Sequence, residues 1–226
     1  MIALHHILSQ ETPLYGGNGR LELKQICSIS DGDTSNSSEL SFPAHSGTHI
    51  DAPYHFYSEG LSLDQFPADF WLCKSPFLIE YSAQPGEIIS LTSLLPLLNK
   101  IPVETDLLLI RSGIETLRRS EPGTYIFHGA GLVPEIGLWL RRNRKLKMFG
   151  FDWISLTCYE NRTLGRDAHK AFLSSTINET KNLNPVLIIE DMKLSDAPTA
   201  LMNVLVSPLL YRQADGSPVS VWGNLE

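Results

Sequence analysis

The sequence predicts a single mixed α/β domain, and three observations lead to this class. The 226 residues suffice for one domain with a full core, and a hydrophobic content of 42% with a charged content of 19% is ordinary for a globular protein. Short apolar runs alternate with helix-like segments in the middle of the chain. Both ends are richer in strands, so the elements do not follow a regular strand–helix repeat.

The predicted strands are short apolar or β-branched runs bounded by turn-forming residues. Asp215-Gly216 predicts a hairpin turn before the last of them. The strands are Phe77–Tyr81, Leu107–Arg111, Lys147–Phe151, Val186–Glu190, Val204–Tyr211 and Val219–Trp222.

Three helices are predicted between these strands. Leu91–Leu98 follows Ser90, which is a good N-cap residue. Residues 134–145 place a proline at an early helical position and end in a basic cluster that suits the helix dipole. Asp167–Ser174 predicts a short helix that carries His169.

A dense histidine motif covers residues 45–56 and reads His-Ser-Gly-Thr-His-Ile-Asp-Ala-Pro-Tyr-His-Phe. Imidazole nitrogens and carboxylate oxygens are the usual ligands of zinc and similar first-row divalent ions. The motif therefore predicts a metal site, and its last histidine, His55, is a candidate ligand or proton-transfer group. A histidine-rich surface loop is the simpler alternative.

The spacing of the motif also predicts the shape of its backbone. A helix would direct Asp51 away from His45, and the glycine and proline of the motif are poor helix-interior residues. A straight strand would separate the Cα atoms of His45 and His49 by roughly 13 Å, which is long for two ligands of one ion. We therefore expect a bend at Gly47-Thr48 that brings the two imidazoles together.

The charge and the cysteines exclude several classes of protein. A net charge of −7 argues against nucleic acid or an anionic membrane as the main partner. Three distant cysteines without a C-x-x-C pair predict neither a disulfide framework nor a cysteine zinc site, and they suit a reducing compartment. No segment has the pattern of a signal peptide or a membrane span, so we expect a cytoplasmic protein that acts on a small molecule.

Two residues further along the chain could supply additional ligands. Glu190 ends an apolar strand, where a buried carboxylate would need a partner, although a surface acid beside Asp191 is equally compatible with the sequence. His169 lies on a predicted helix, where a solvent-facing histidine is the alternative. Spacing alone therefore supports only one metal site, at residues 45–51.

The 45–56 motif resembles the signature of the cyclase family of metal-dependent hydrolases, which includes bacterial kynurenine formamidase and isatin hydrolase. Weaker matches follow in the order of the family, and they are Leu108–Gly113, Gly150–Asp152, Ala168–Lys170 and Leu187–Asp191. The resemblance implies that residues 1–226 form one such hydrolase domain. Its expected architecture is a mixed or barrel-like sheet flanked by helices, in the family's swivelling β/β/α arrangement.

The resemblance also implies the ligands of the metal. Asp51 would bridge a first ion to a second one, so that one or two ions bind per chain. Zinc is the expected metal and manganese the alternative. The implied ligands are His45, His49, Asp51, His169 and Glu190.

Three further residues take their roles from the resemblance. His55 would be the catalytic histidine, and Tyr15 would lie where the family has an aromatic residue at the substrate pocket. Phe56, at the end of the motif, is a second expected substrate contact. The chain departs from the family at Tyr15, which replaces a usual tryptophan, and at Asp191, which replaces asparagine or glycine. The segment that contains residues 178–184 is longer than in the formamidases.

The function implied by the resemblance is hydrolysis of an amide, either a formamide or a cyclic amide, in a small aromatic molecule. Lactone hydrolysis or cyclisation at the same metal site is an alternative reaction. A protein that stores or senses metal without catalysis is an alternative of another class. The resemblance further implies a homo-oligomer, either a dimer or a tetramer.

Overall fold

Two segments, residues 1–175 and 182–225, are described by the computed structural model. Their strands are β1 (Ile2–Ala3), β2 (Glu22–Cys27), β3 (Ser37–Ser41), β4 (His49–Asp51), β5 (Leu72–Cys73), β6 (Pro76–Glu80), β7 (Ile88–Ile89), β8 (Leu107–Arg111), β9 (Gly131–Leu132), β10 (Met148–Phe151), β11 (Leu187–Glu190), β12 (Asn203–Pro208) and β13 (Gly216–Asn224). Their α-helices are α1 (Leu91–Leu98), α2 (Leu117–Ser120), α3 (Pro122–Phe127), α4 (Pro134–Asn143) and α5 (Arg162–Leu173).

The main sheet has nine strands, in the order β5-β12-β13-β4-β11-β10-β8-β6, with β1 paired to β13. The neighbours β6, β8, β10 and β11 run parallel, whereas the other pairs in the sheet are antiparallel. The edge strands β5 and β6 are joined only by Lys74 and Ser75. Because this short link holds the two edges close together, the sheet curves into a nearly closed barrel.

The strands alternate between two hydrophobic cores, as the pleat of a sheet requires. On β8, Leu107 and Leu109 join the core inside the barrel, which also receives residues from β12 and β13. Leu108 and Ile110 face the other way and join the core beneath the helices. This outer core includes fully buried residues of α1, α4 and α5. The predicted mixed α/β domain, with a barrel-like sheet flanked by helices, is confirmed.

The predicted elements agree with the observed ones except at some ends. Each of the six predicted strands overlaps an observed strand. Helix α1 has the predicted bounds, and the Ser90 side chain accepts a hydrogen bond from the Ser93 N–H. Helix α5 begins at Arg162, earlier than predicted. Its Gly165 packs against Thr157, where a Cβ would lie 2.1 Å from the hydroxyl oxygen.

The predicted hairpin turn at Asp215-Gly216 is wrong. Strand β12 ends at Pro208, and the connection to β13 is a loop over residues 209–215. Gly216 already pairs with Asp51 of β4, so it belongs to the sheet and cannot form the turn. Long-range pairing has overridden the local turn preference of an Asp-Gly pair.

The predicted extra segment, residues 178–184, is described only in part. Residues 178–181 lie outside the described residues, and residues 182–184 lie within them. Within the described segments, no helix combines the length and the apolar character that a membrane crossing needs.

Removal of a side chain from inside the barrel should destabilise the protein far more than removal from its surface. Leu109 is completely buried, so Leu109→Ala should lower the free energy of unfolding by about 2–5 kcal/mol. Leu205 on β12 is 43% exposed, so Leu205→Ala should cost less than about 1 kcal/mol. Urea unfolding of both variants measures the difference. Equal losses would contradict a closed core inside the sheet.

Candidate metal centre and active site

The predicted bend in the histidine motif is present. Gly47 has a φ of +60°, a left-handed conformation that favours glycine. A Cβ at this position would also lie 2.5 Å from a methyl carbon of Leu8. The bend places the ring centroids of His45 and His49 5.2 Å apart.

Strand β4 lies between β11 and β13, and its register brings distant residues together. His49 pairs with Glu190 of β11, and Asp51 pairs with Gly216 of β13. Ile50 points into the barrel core, so its neighbours His49 and Asp51 lie on the opposite face of the sheet. Helix α5 brings a further histidine, His169, against this face.

Four of the predicted ligands form a buried cluster with regular spacing. The Nε2 atoms of His49 and His169 each lie 3.4 Å from a different oxygen of Glu190. Each also lies 3.6 Å from a different oxygen of Asp51. All four residues are at least nine-tenths buried. Each carboxylate therefore spans the two imidazoles, with one oxygen facing each ring.

Hydrogen bonds from outside the cluster fix the orientation of these groups. The Nδ1 of His49 donates to the carbonyl of Gly47, and the Nδ1 of His169 donates to the carbonyl of Gly165. Both Nε2 atoms are therefore left to face the carboxylates, as is usual for histidines that bind a metal. One oxygen of Glu190 accepts from the backbone N–H of Leu156.

The cluster shifts the pKa values of its members in opposite directions. Burial raises the pKa of Asp51, but the neighbouring imidazoles, His45 first, lower it well below its usual range. Burial and Asp51 raise the pKa of Glu190, and the two histidines that face it lower it overall. Burial lowers the pKa of His49, while Glu190 raises it above its usual value. The cluster is thus built to hold negative charge close to a positive partner.

The fifth predicted ligand, His45, is held between two carboxylates. Its Nδ1 lies 2.8 Å from Asp51, and its Nε2 lies 3.0 Å from Asp215. Burial lowers the pKa of His45, but Asp51 and then Asp215 raise it to about 10. Its ring passes over Gly216, where a Cβ would lie 2.3 Å from the ring. To bind an ion, His45 would have to release one of its two carboxylates.

His55 lies at the solvent side of the cluster. Its Nδ1 donates to the Asp215 carboxylate over 3.1 Å, and its ring lies 4.0 Å from that of His45. Burial lowers the pKa of His55 below its usual value, with opposing effects of Asp51 and His45. The neutral imidazole therefore dominates at neutral pH, and its Nε2 can accept a proton.

Both predicted substrate contacts line the same cavity, which has a volume of about 150 Å³ and is also lined by the five predicted ligands and His55. Phe56 stacks on His169 with centroids 4.6 Å apart. The Tyr15 hydroxyl is buried and has no hydrogen-bond partner among the described residues. Burial raises the pKa of Tyr15 to about 12, so this hydroxyl remains a hydrogen-bond donor.

Two acids of the site were missed by sequence reasoning. Asp215 contacts both His45 and His55, but its Asp-Gly setting indicated only a turn. Asp191 follows Glu190 with a φ of +52°, a left-handed conformation that aspartate, asparagine and glycine adopt more readily than other residues. The available signal was the residue type at this position. The family has asparagine or glycine there, and these residues, like aspartate, suit a left-handed backbone.

The donor atoms of the cluster fit a first-row divalent ion. A tetrahedral ion with bonds of about 2.1 Å has donor atoms roughly 3.4 Å apart, which matches the 3.4 and 3.6 Å separations around His49 and His169. The same separations are long for hydrogen bonds. His49, Asp51 and Glu190 form one candidate ligand group, and His45, Asp51 and His55 form another.

The fold and the site together define an α/β barrel protein with a buried histidine–carboxylate cluster of metal-ligand type. Comparison with known proteins gives the family. Residues 2–157 match the family model described as "Putative cyclase". The chain therefore belongs to the cyclase family.

Similar proteins extend the match to nearly the whole chain. Cyclase-like protein 2 of Oryza sativa subsp. japonica is 28% identical over 97% of this chain and 77% of its own length. Isatin hydrolase A from Ralstonia solanacearum has the same fold, with a TM-score of 0.76 and 20% identity over 100% of this chain and 91% of its own. Isatin hydrolase A from Labrenzia aggregata has a TM-score of 0.80 and is 19% identical in sequence. That match covers 97% of this chain and 91% of the hydrolase.

A methyl group at position 216 should displace His45 from its two carboxylates. Gly216→Ala should therefore lower the pKa of His45 from about 10 toward its usual value, because the ring moves away from Asp51 and Asp215. An NMR titration of the metal-free protein measures this pKa. Gly123→Ala is the matched control, since a Cβ there meets nothing within 4 Å. An unchanged His45 pKa in Gly216→Ala would contradict the close packing over Gly216.

Proposed function

We propose that the protein is a metal-dependent hydrolase that cleaves an amide C–N bond in a small aromatic molecule, as an arylformamidase does. The bond would belong to a formamide or to a cyclic amide. The observation that carries the proposal is the spacing of the imidazole and carboxylate atoms around Asp51, which suits an ion better than hydrogen bonds. The isatin hydrolases that share this fold support hydrolysis as the chemistry.

The proposed ion is zinc, with manganese as the alternative, and one or two ions bind per chain. Asp51 is suited to the bridging position because its two oxygens face different histidines. A bound divalent ion would supply a Lewis acid that lowers the pKa of water toward about 7 and stabilises negative charge on a carbonyl oxygen. The residues proposed to hold it are His45, His49, Asp51, His169 and Glu190.

His55 is the proposed general acid and base. Asp215 accepts a hydrogen bond from the Nδ1–H of His55, which leaves the Nε2 lone pair free to take a proton from the attacking water. The lowered pKa of His55 favours the neutral form that this step requires. The same proton then passes to the leaving nitrogen as the C–N bond breaks, so the histidine returns to its starting state.

The cavity wall suits a flat aromatic molecule with a polar substituent. Phe56 and Tyr15 offer ring surfaces on which an aromatic group can pack. The unpaired Tyr15 hydroxyl can donate to an acceptor oxygen on the substrate, and such an oxygen would satisfy a buried group that lacks a partner. A cytoplasmic location, a dimeric or tetrameric assembly, and no role for nucleic acid or membranes complete the proposal.

A panel of small carbonyl compounds tests the reaction. The zinc-loaded protein should hydrolyse aryl formamides or aromatic cyclic amides faster than aromatic lactones of the same size, measured as kcat/KM. Preference for the lactones would replace amide cleavage by lactone hydrolysis at the same site. If no compound is turned over while zinc stays bound in a closed shell of protein ligands, the site stores or senses metal and the proposed activity is wrong.

Substitutions at Asp51 and His55 should separate metal binding from proton transfer. His55→Ala should lower kcat by roughly a hundredfold to ten-thousandfold while zinc remains bound, because only the acid–base group is lost. Asp51→Ala should abolish zinc binding, measured by metal analysis after dialysis.

The exposed His128 provides the control, and His128→Ala should change neither zinc content nor kcat. Loss of zinc in His55→Ala would instead make His55 a ligand together with His45 and Asp51. A kcat within a few-fold of wild type would remove His55 from the reaction.

A further inference from the structure

Asp191, directly after Glu190, is a strained and buried acid. Its φ of +52° is unfavourable for a residue with a side chain, and it is only 1% exposed. Strain of this kind persists only where surrounding contacts enforce it. The contacts of Asp191 therefore show what holds the end of β11 in this conformation.

The Asp191 carboxylate is anchored by two residues outside the metal cluster. Arg118 of α2 donates from Nε to one carboxylate oxygen over 2.8 Å and from a terminal nitrogen to the other over 2.9 Å. The completely buried Tyr125 of α3 donates its hydroxyl to the same carboxylate. A two-point contact of this kind fixes the position of a carboxylate as well as its charge.

The backbone of Asp191 is tied to both sides of the cluster. Its N–H donates to the carbonyl of Trp153 over 2.9 Å, and its carbonyl accepts from the hydroxyl of Thr48 over 2.5 Å. Thr48 directly precedes His49, and Glu190 directly precedes Asp191. One residue thus connects the two chain segments that bring His49 and Glu190 to within 3.4 Å.

We propose that Arg118 is a positioning residue for the metal site, acting through the Asp191 carboxylate to hold the left-handed turn that sets Glu190 against His49. Arg118 itself contacts none of the predicted ligands through the hydrogen bonds and ion pairs of the described residues. The inference rests on the proposed metal site. It adds that the affinity of this site depends on a cation held on a separate helix.

Charge supports the geometric argument. Asp191 lies beside two other buried carboxylates, Asp51 and Glu190, and lines the same cavity. A third buried carboxylate without a cation would be costly. The side chain would then turn toward water, or the backbone would relax, and either change would remove the left-handed turn. Arg118 supplies this cation, and the pair in turn raises the pKa of Arg118 despite its burial.

Zinc affinity of the metal-free protein, measured by competition with a chromophoric chelator, tests the inference. Arg118→Met and Asp191→Ala should each weaken zinc binding about ten- to a hundredfold, which is typical for groups that orient metal ligands. The double variant should bind zinc no more weakly than Asp191→Ala, because Arg118 acts only through Asp191. Additive losses in the double variant would overturn this route.

Two further variants separate positioning from general stability. Arg111 pairs with Glu80 and donates to the carbonyls of Leu194 and Ala197, so Arg111→Met removes a similar arginine without touching Asp191. It should lower the midpoint of urea unfolding and leave zinc affinity unchanged. Asp191→Asn keeps a residue that tolerates the left-handed turn and should bind zinc more tightly than Asp191→Ala.

The remaining outcomes each decide a separate point. If Glu190→Gln leaves zinc affinity unchanged, the proposed metal site is wrong. If Glu190→Gln weakens zinc binding while Arg118→Met does not, the site stands and the positioning role is wrong. If Arg118→Met does not fold, Arg118→Lys replaces it, since lysine retains the charge without the two-point contact. Arg118→Lys should still weaken zinc binding. A zinc affinity equal to that of the wild type would overturn the positioning role.

Discussion

The interior of this site is governed by two carboxylates that face the same point while almost completely withdrawn from water. Asp51 and Glu190 raise each other's cost of ionisation, and burial adds to it. Such a pair is tolerable only if positive charge or a metal compensates it. The imidazoles of His49 and His169 meet this need, since each lies close to an oxygen of both carboxylates.

Backbone groups provide much of the orientation that these four residues need. Carbonyls of Gly47 and Gly165 orient the two imidazoles, and a backbone N–H holds Glu190. Close approach also depends on missing side chains, since Gly165 makes room for Thr157 and Gly216 makes room for His45. The barrel provides the rigid frame, because β4 is paired on both sides and Ile50 is locked in its core.

Local sequence patterns predicted the features that are determined by residues close together in the chain. The helix over Leu91–Leu98, the bend at Gly47 and the grouping of the motif's histidines follow from spacing and from residue preference. That His169 and Glu190 belong to the metal cluster could be predicted only from the family resemblance. Sheet register and helix packing place them beside His49 and Asp51, and neither can be deduced from spacing. Asp215 and Arg118 escaped prediction because their partners lie far away in sequence, and because an Asp-Gly pair resembles a turn until its strand partner is known.

The position of β4 in the sheet has a consequence for how the chain acquires its shape. Among the described residues, this three-residue strand pairs with β11 and β13 alone, and both come much later in the sequence. During synthesis the histidine motif therefore emerges long before the strands that shelter it. Closing such distant pairs is slow, and an unpaired segment is exposed to wrong associations in the meantime. Long, flat, apolar strands are the ones that pair with other chains and aggregate. The histidine motif is polar and bent, so it is a poor partner for such pairing before β11 and β13 are made.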